Sequence, residues 1–110
     1  MRQGGSPPLE PLVLPVGVEA SAETVAGFLR GAGVDPIAWS NGPGDRYAPH
    51  AHGYTKPLMC ASGSITFLVG DDEAPIELTP GTGFSLPPGT RHAAVVGPQG
   101  CQCLEGHRPL

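Results

Sequence analysis

Turn-forming residues cut the last two-thirds of this chain into apolar runs too short to be helices. Turn signals stand at Asn41-Gly-Pro-Gly, Ser62-Gly63, Gly70-Asp-Asp, Thr79-Pro-Gly, Pro88-Gly89 and Gly97-Pro-Gln-Gly. Glycine reaches positive φ without strain and proline presets φ for a turn, so each cluster reverses or bends the chain. The intervening runs, 37–41, 47–52, 57–62, 64–69, 75–78, 83–86, 92–96 and 101–105, have strand length. Strands at this spacing predict a small antiparallel sandwich or barrel. With 17 glycines and 14 prolines the composition alone would suggest disorder. Here those residues punctuate apolar runs instead of forming a repeat, which predicts an all-β fold.

The first third reads differently. Residues 12–18 form a short apolar segment suited to an edge strand. One helix is predicted from Ser21, with Ser21 as cap and Glu23 at the positive end. Val25, Phe28 and Leu29 make its apolar stripe, and Gly31 or Gly33 ends it. At 110 residues the chain is one domain. Its expected parts are an N-terminal segment (1–35) packed on the barrel, the barrel (36–106) and a tail (107–110). Residues 1–11 and 107–110 are expected to be loose or docked ends.

Six basic and ten acidic residues give a net charge of −4 without any Lys/Arg cluster. Nucleic-acid binding needs a basic footprint that is missing. No apolar run approaches the roughly 18 residues of a spanning helix, and the N-terminus has no secretory pattern. Three cysteines without a spaced framework agree with a reducing compartment. The expectation is a soluble cytoplasmic protein with neither nucleic-acid nor membrane partners.

Chemistry concentrates in three histidines. His50 and His52 are two residues apart, so on a strand they share a face. His92 follows the turn Pro87-Pro-Gly89 and comes from a separate strand. Neutral imidazole is a frequent metal ligand, and three from two strands can hold one side of a divalent cation while leaving other positions open.

The glycine frames around these histidines resemble the two motifs of the cupin family, specifically a small single-domain cupin. Gly44, His50, His52 and Gly63 follow G-x5-H-x-H-x3,4-E-x6-G, with Lys56 where the glutamate is expected. Gly81, Pro87, Gly89 and His92 follow G-x5-P-x-G-x2-H-x3-N, with Val96 at the asparagine position. The resemblance implies a jelly-roll barrel, a metal site at His50, His52 and His92, a small-molecule ligand or substrate, and a homodimer. The ion would be Fe, Ni, Zn or Mn. A three-histidine set without the acidic ligand resembles some non-haem iron dioxygenases, with Lys56 and Tyr54 as candidate catalytic residues that orient substrate. The alternative is a non-catalytic ligand-binding or sensing cupin with a degenerate metal site.

Lys56 departs most from the motif, because an ammonium repels a dication and has no lone pair to offer. It is expected either to turn aside from a three-histidine site or to displace the metal function, anchoring an anionic group or acting as a base; the plainer reading is a salt bridge or a snorkelled side chain at the barrel mouth. Glu105 is placed on the neighbouring last strand, as a partner for Lys56 or as an exposed strand-end residue. Cys60, Cys101 and Cys103 are expected to be small apolar core residues in preference to a zinc site. Trp39 and Tyr47 are candidates for the pocket mouth or the core. His107 is expected to be a solvated tail residue.

Overall fold

A computed structural model describes residues 9–108. The elements in chain order are β1 (Glu10–Val13), α1 (Ala22–Gly31), β2 (Ile37–Asn41), β3 (Arg46–His50), β4 (Lys56–Val69), β5 (Ala74–Leu78), β6 (Thr82–Leu86) and β7 (His92–Glu105). The mostly antiparallel, one-helix architecture expected from the turn spacing is present. The tail expectation for 1–8 and 109–110 lies outside the described residues. Residues 10 and 11 belong to β1, which pairs with β6 and so makes the edge strand earlier than the predicted 12–18. Pro15, with no amide hydrogen to donate, and Gly17, at φ +87°, break the run beyond it.

Two expected turns are not turns. Runs 57–62 and 64–69 join as the single strand β4, and runs 92–96 and 101–105 join as β7. These two long strands pair with each other along their length, with register shifts between Cys60 and Ser62 and between Gly63 and Ile65. Gly63 (φ +72°) stands opposite Cys101 at this bend, next to Gly100 (φ +74°). A Cβ on Gly63 would overlap the carbonyl oxygen of Gly100, so the two backbones approach closely only because Gly63 has no side chain; a Cβ on Gly100 would instead crowd the Asn41 carbonyl. Glycine here bends a continuing ladder instead of ending it.

The bend divides the strands into two facing sections. Residues 56–59 of β4 pair with β6, and 101–105 of β7 pair with β2. Beyond the bend, 65–69 of β4 pair with β5, and β3 pairs with the start of β7. The result is a small jelly-roll barrel. Lys56, Leu58 and Cys60 point inward before the bend, and Ile65, Phe67 and Val69 after it. That odd step across the irregularity resets the pleat so both sections bury an apolar face. Phe67 from one section meets Phe84 from the other edge to face, with centroids 5.3 Å apart.

Helix α1 covers the outer side of the first section only. Ser21 caps it by accepting from the Thr24 amide at 3.1 Å, while Thr24 Oγ1 accepts from the Ser21 amide at 2.9 Å. Gly33, at φ +84°, turns the chain away, and the Val34 amide donates back to Leu29. Val25 and Leu29 are fully buried against Met59, Ala61 and Leu104, forming a second core outside the barrel. Each such side chain contributes about 1.5–3 kcal/mol of burial. Among the described residues, no helix is long and apolar enough to cross a membrane.

Candidate metal centre

The end of the barrel away from the Gly63–Gly100 bend holds a cavity of about 310 Å³. The section with β2 supplies Trp39, Lys56 and Glu105 to its wall, and the section with β3 supplies Tyr47, Phe67 and His92. His50 ends β3, directly opposite His92 at the start of β7. His52 lies two residues past the end of β3, outside the strand in which it was expected. The turn after β3 nevertheless returns its ring to the others. Ring centroids lie 4.3 Å apart for His50 and His92, 4.9 Å for His50 and His52, and 5.2 Å for His52 and His92.

One nitrogen from each ring lies within 4.8 Å of the others, the single such group of metal-ligating side chains among the described residues. Backbone carbonyls set the tautomers of two rings. His50 Nδ1 is 2.8 Å from the Ala48 carbonyl, and His92 Nδ1 is 3.0 Å from that of Thr90. A carbonyl can only accept, so in each ring Nδ1–H donates, and in a neutral imidazole so held Nε2 carries the lone pair. For His52 the same result comes from side chains. Lys56 Nζ lies 3.5 Å from Nε2 and can only donate, leaving Nδ1–H for the Tyr54 hydroxyl at 3.2 Å. Each of the three rings thus offers an acceptor nitrogen.

His92 is 2 % exposed, and its Nε2 is buried without a hydrogen-bond partner among the described residues. Such an acceptor costs free energy unless something fills its lone pair. Burial, reinforced by His50, Lys56 and His52, holds the His92 pKa down to about 4. Burial and then the Lys56 charge lower that of His52 as well. Both rings are therefore neutral near pH 7, the form a metal ligand requires. The donor set and the orphaned lone pair fit a divalent cation.

Lys56 makes the expected salt bridge, but from a buried position in the cavity wall. It is 7 % exposed, its Nζ lies 3.2 Å from Glu105 Oε1, and it remains within reach of His52. Glu105 stands opposite Leu58 in the ladder, so it meets Lys56 diagonally, two residues along. The exposed strand-end alternative for Glu105 fails for this reason. Its Oε1 also accepts from Trp39 Nε1 at 2.9 Å. That bond depends on pairing register and was not legible in the sequence; the carbonyl anchors are local, each to the residue two positions back, but depend on ring orientation that no residue type specifies.

Tyr54 is not among the residues lining the cavity. It stands behind His52, its ring stacked on His107 at 3.8 Å between centroids. His107, expected as a solvated tail residue, is exposed but packed, and the Arg108 amide donates to the Thr55 carbonyl at 2.9 Å. Trp39 and Tyr47 contact each other edge to face, with centroids 5.6 Å apart. Val96, at the motif's asparagine position, is buried in the barrel core. Cys60, Cys101 and Cys103 are buried there too, with Cys60 directly opposite Cys103. The hydrogen bond with Cys60 and then burial push the Cys103 thiol far up, and burial raises Cys101. The same bond holds the Cys60 thiol below its ordinary value. All three side chains pack in the apolar interior as small core residues, as expected.

Comparison with known proteins agrees with this architecture. No curated protein sequence matches the chain. Among solved structures, the chain is similar to YcfD, a ribosomal oxygenase from Escherichia coli in complex with cobalt and 2-oxoglutarate. The TM-score is 0.67 at 21% identity, covering 80% of this chain and 29% of that one. It is also similar to oxalate decarboxylase from Bacillus subtilis, described for its Mn(II) centres. There the TM-score is 0.62 at 18% identity, covering 67% of this chain and 20% of that one. An RmlC-like cupin from Shewanella frigidimarina gives a TM-score of 0.60 at 25% identity, covering 70% of this chain and 67% of that one. The chain thus spans less than a third of the oxygenase and a fifth of the decarboxylase. The family described as the AraC-like ligand binding domain matches residues 32–104, well over half the chain. With this barrel and this match, the chain is a cupin and belongs to the AraC-like ligand binding domain family.

Proposed function

We propose that this chain binds a small molecule at a divalent cation held by Nε2 of His50, His52 and His92. The observation that carries the proposal is the buried, unpartnered Nε2 of His92, directed among two further imidazoles whose Nδ1–H groups are already engaged. Iron, nickel, zinc and manganese all suit imidazole ligands, and availability decides among them. Bound there, such an ion would supply Lewis-acid polarisation of a ligand oxygen and, for iron, access to O₂ chemistry.

The chain's own residues have separable tasks. Ala48 and Thr90 carbonyls hold two rings in the ligating tautomer, and Tyr54 does so for the third, as a positioning residue. Lys56 faces the cavity and orients a ligand, while Trp39, Tyr47 and Phe67 supply its less polar wall. Three ligands on one side leave positions for substrate, which supports a dioxygenase-type enzyme. The similar oxygenase and decarboxylase support a metal-dependent use of the same barrel. The family's description as a ligand binding domain favours a second use, non-catalytic binding or sensing. The homodimer implied by the resemblance belongs to the same proposal.

Elemental analysis of purified protein, repeated on His52→Ala, tests the site. Near one iron, nickel, zinc or manganese per chain, lost in the variant, is expected. Equal metal content in both proteins would overturn it. Oxygen consumption by the iron-loaded protein with diketones, thiols and phenolic acids then separates enzyme from binding module.

A further inference from the structure

We propose that Lys56 and Glu105 form a carboxylate-recognition subsite, and that the cavity takes a small monocarboxylate with a flat apolar body. The inference rests on the cation site proposed above and names the ligand class for it. Its starting point is charge. Lys56 is buried, with Nζ 3.5 Å from the nitrogen of His52 that would ligate the cation. Among the described residues that line the cavity, Glu105 is the single carboxylate. A dication beside Lys56 brings three positive charges to a pocket with one negative charge. Repulsion over a few ångströms is strongest on the Lys56 side, where the ammonium is buried. An anion placed between ammonium and cation relieves that repulsion on both sides.

Geometry narrows the anion to a carboxylate on an apolar body. Glu105 Oε1 already accepts from Lys56 at 3.2 Å and from Trp39 at 2.9 Å, which holds it against one wall. The ammonium has three donors, and Glu105 and His52 account for two of them. The third, and the second once a cation takes His52 Nε2, can donate to an incoming oxygen, and a carboxylate has a second oxygen to turn toward the cation. The rest of the space is bounded by Trp39, Tyr47, Phe67 and Ala94, which suit a ring more than a second charge. At about 310 Å³ the cavity stands at the small end of the range for ligand sites. Because the carboxylate draws the ammonium off His52, cation and anion each strengthen the binding of the other.

The test is calorimetric titration of the metal-free protein with Ni²⁺ at fixed ionic strength, alone, with benzoate, and with neutral benzamide. Benzoate is expected to tighten Ni²⁺ binding about tenfold, and benzamide to leave it unchanged. Lys56→Met should bind Ni²⁺ more tightly alone and lose the benzoate effect, while Lys56→Arg should keep part of it. Equal effects of benzoate and benzamide on the natural chain would overturn the subsite, whether or not a variant folds. So would a benzoate effect that persists undiminished in a folded Lys56→Met. The cation site is scored separately: Ni²⁺ binding abolished by His92→Ala, without benzoate coupling, would refute the carboxylate subsite alone. Ni²⁺ binding that His92→Ala does not change would refute the cation site itself.

Discussion

The two ends of the barrel interior are built from the same two strands, β4 and β7, and carry opposite chemistry. Near the bend, Cys60, Ile65, Val96 and Cys101 close the interior with apolar atoms and weakly polar thiols. At the other end the same strands present Lys56, His92 and Glu105. At the closed end, glycine without a side chain lets backbones meet, and sulfur fills the space that remains. The open end buries polar groups whose partners are incomplete, most plainly His92 Nε2. One end is closed by apolar packing, whereas the other leaves a buried lone pair unsatisfied, the feature on which the proposed cation site rests.

Breaking the closed end should have the largest effect. Gly63→Val places a β-branched side chain at φ +72° and against the Gly100 carbonyl. A loss of about 4 kcal/mol or outright unfolding is expected, measured by urea denaturation. A variant as stable as the natural chain would show that the strands need no close approach there.

The open end should respond to pH where the closed end does not. In the metal-free protein the His92 pKa is held at about 4, below the ordinary 6.5. The unfolded chain therefore takes up a proton first as pH falls through 6.5. Stability is full above that value and declines toward pH 4, by up to about 3 kcal/mol. Denaturation curves across this range should show the loss, and His92→Phe should flatten it.

Next comes the ion pair. Glu105→Gln leaves the Lys56 ammonium buried without its counter-charge and weakens the bond from Trp39. Glu105 is about a quarter exposed, so the loss should be about 2 kcal/mol and not the full cost of a buried orphan charge. Thermal melts at two ionic strengths test this. Stability unchanged by the substitution, or a loss that added salt removes, would mean that the pair is a surface contact. The smallest effect should come from Cys60→Ala, about 1 kcal/mol with unchanged cation binding. A change in cation affinity would instead tie the thiols to the site.

The contrast between the ends also marks what the sequence made legible. Strand composition and turn chemistry located the β runs, and the helix was signalled by Ser21 and its apolar stripe, because these are local effects. The long strands were not, since a glycine that bends a ladder and one that ends it are the same residue. Gly63 acts through Gly100, which lies on another strand. The three histidines were legible from spacing, although His52 lies beyond the strand and is returned by the turn. The Trp39–Glu105–Lys56 chain and the Tyr54–His107 stack depend on register and on the docked C-terminal segment. No local pattern encodes either.

The most direct test of the three-imidazole site is long-range proton–nitrogen NMR of the histidine rings during titration of the metal-free protein with Zn²⁺. Nε2 of His50, His52 and His92 should begin as unprotonated acceptors, then shift together and saturate at about one ion per chain, while His107 stays still. Rings that do not shift, or a shift confined to His107, would contradict the site.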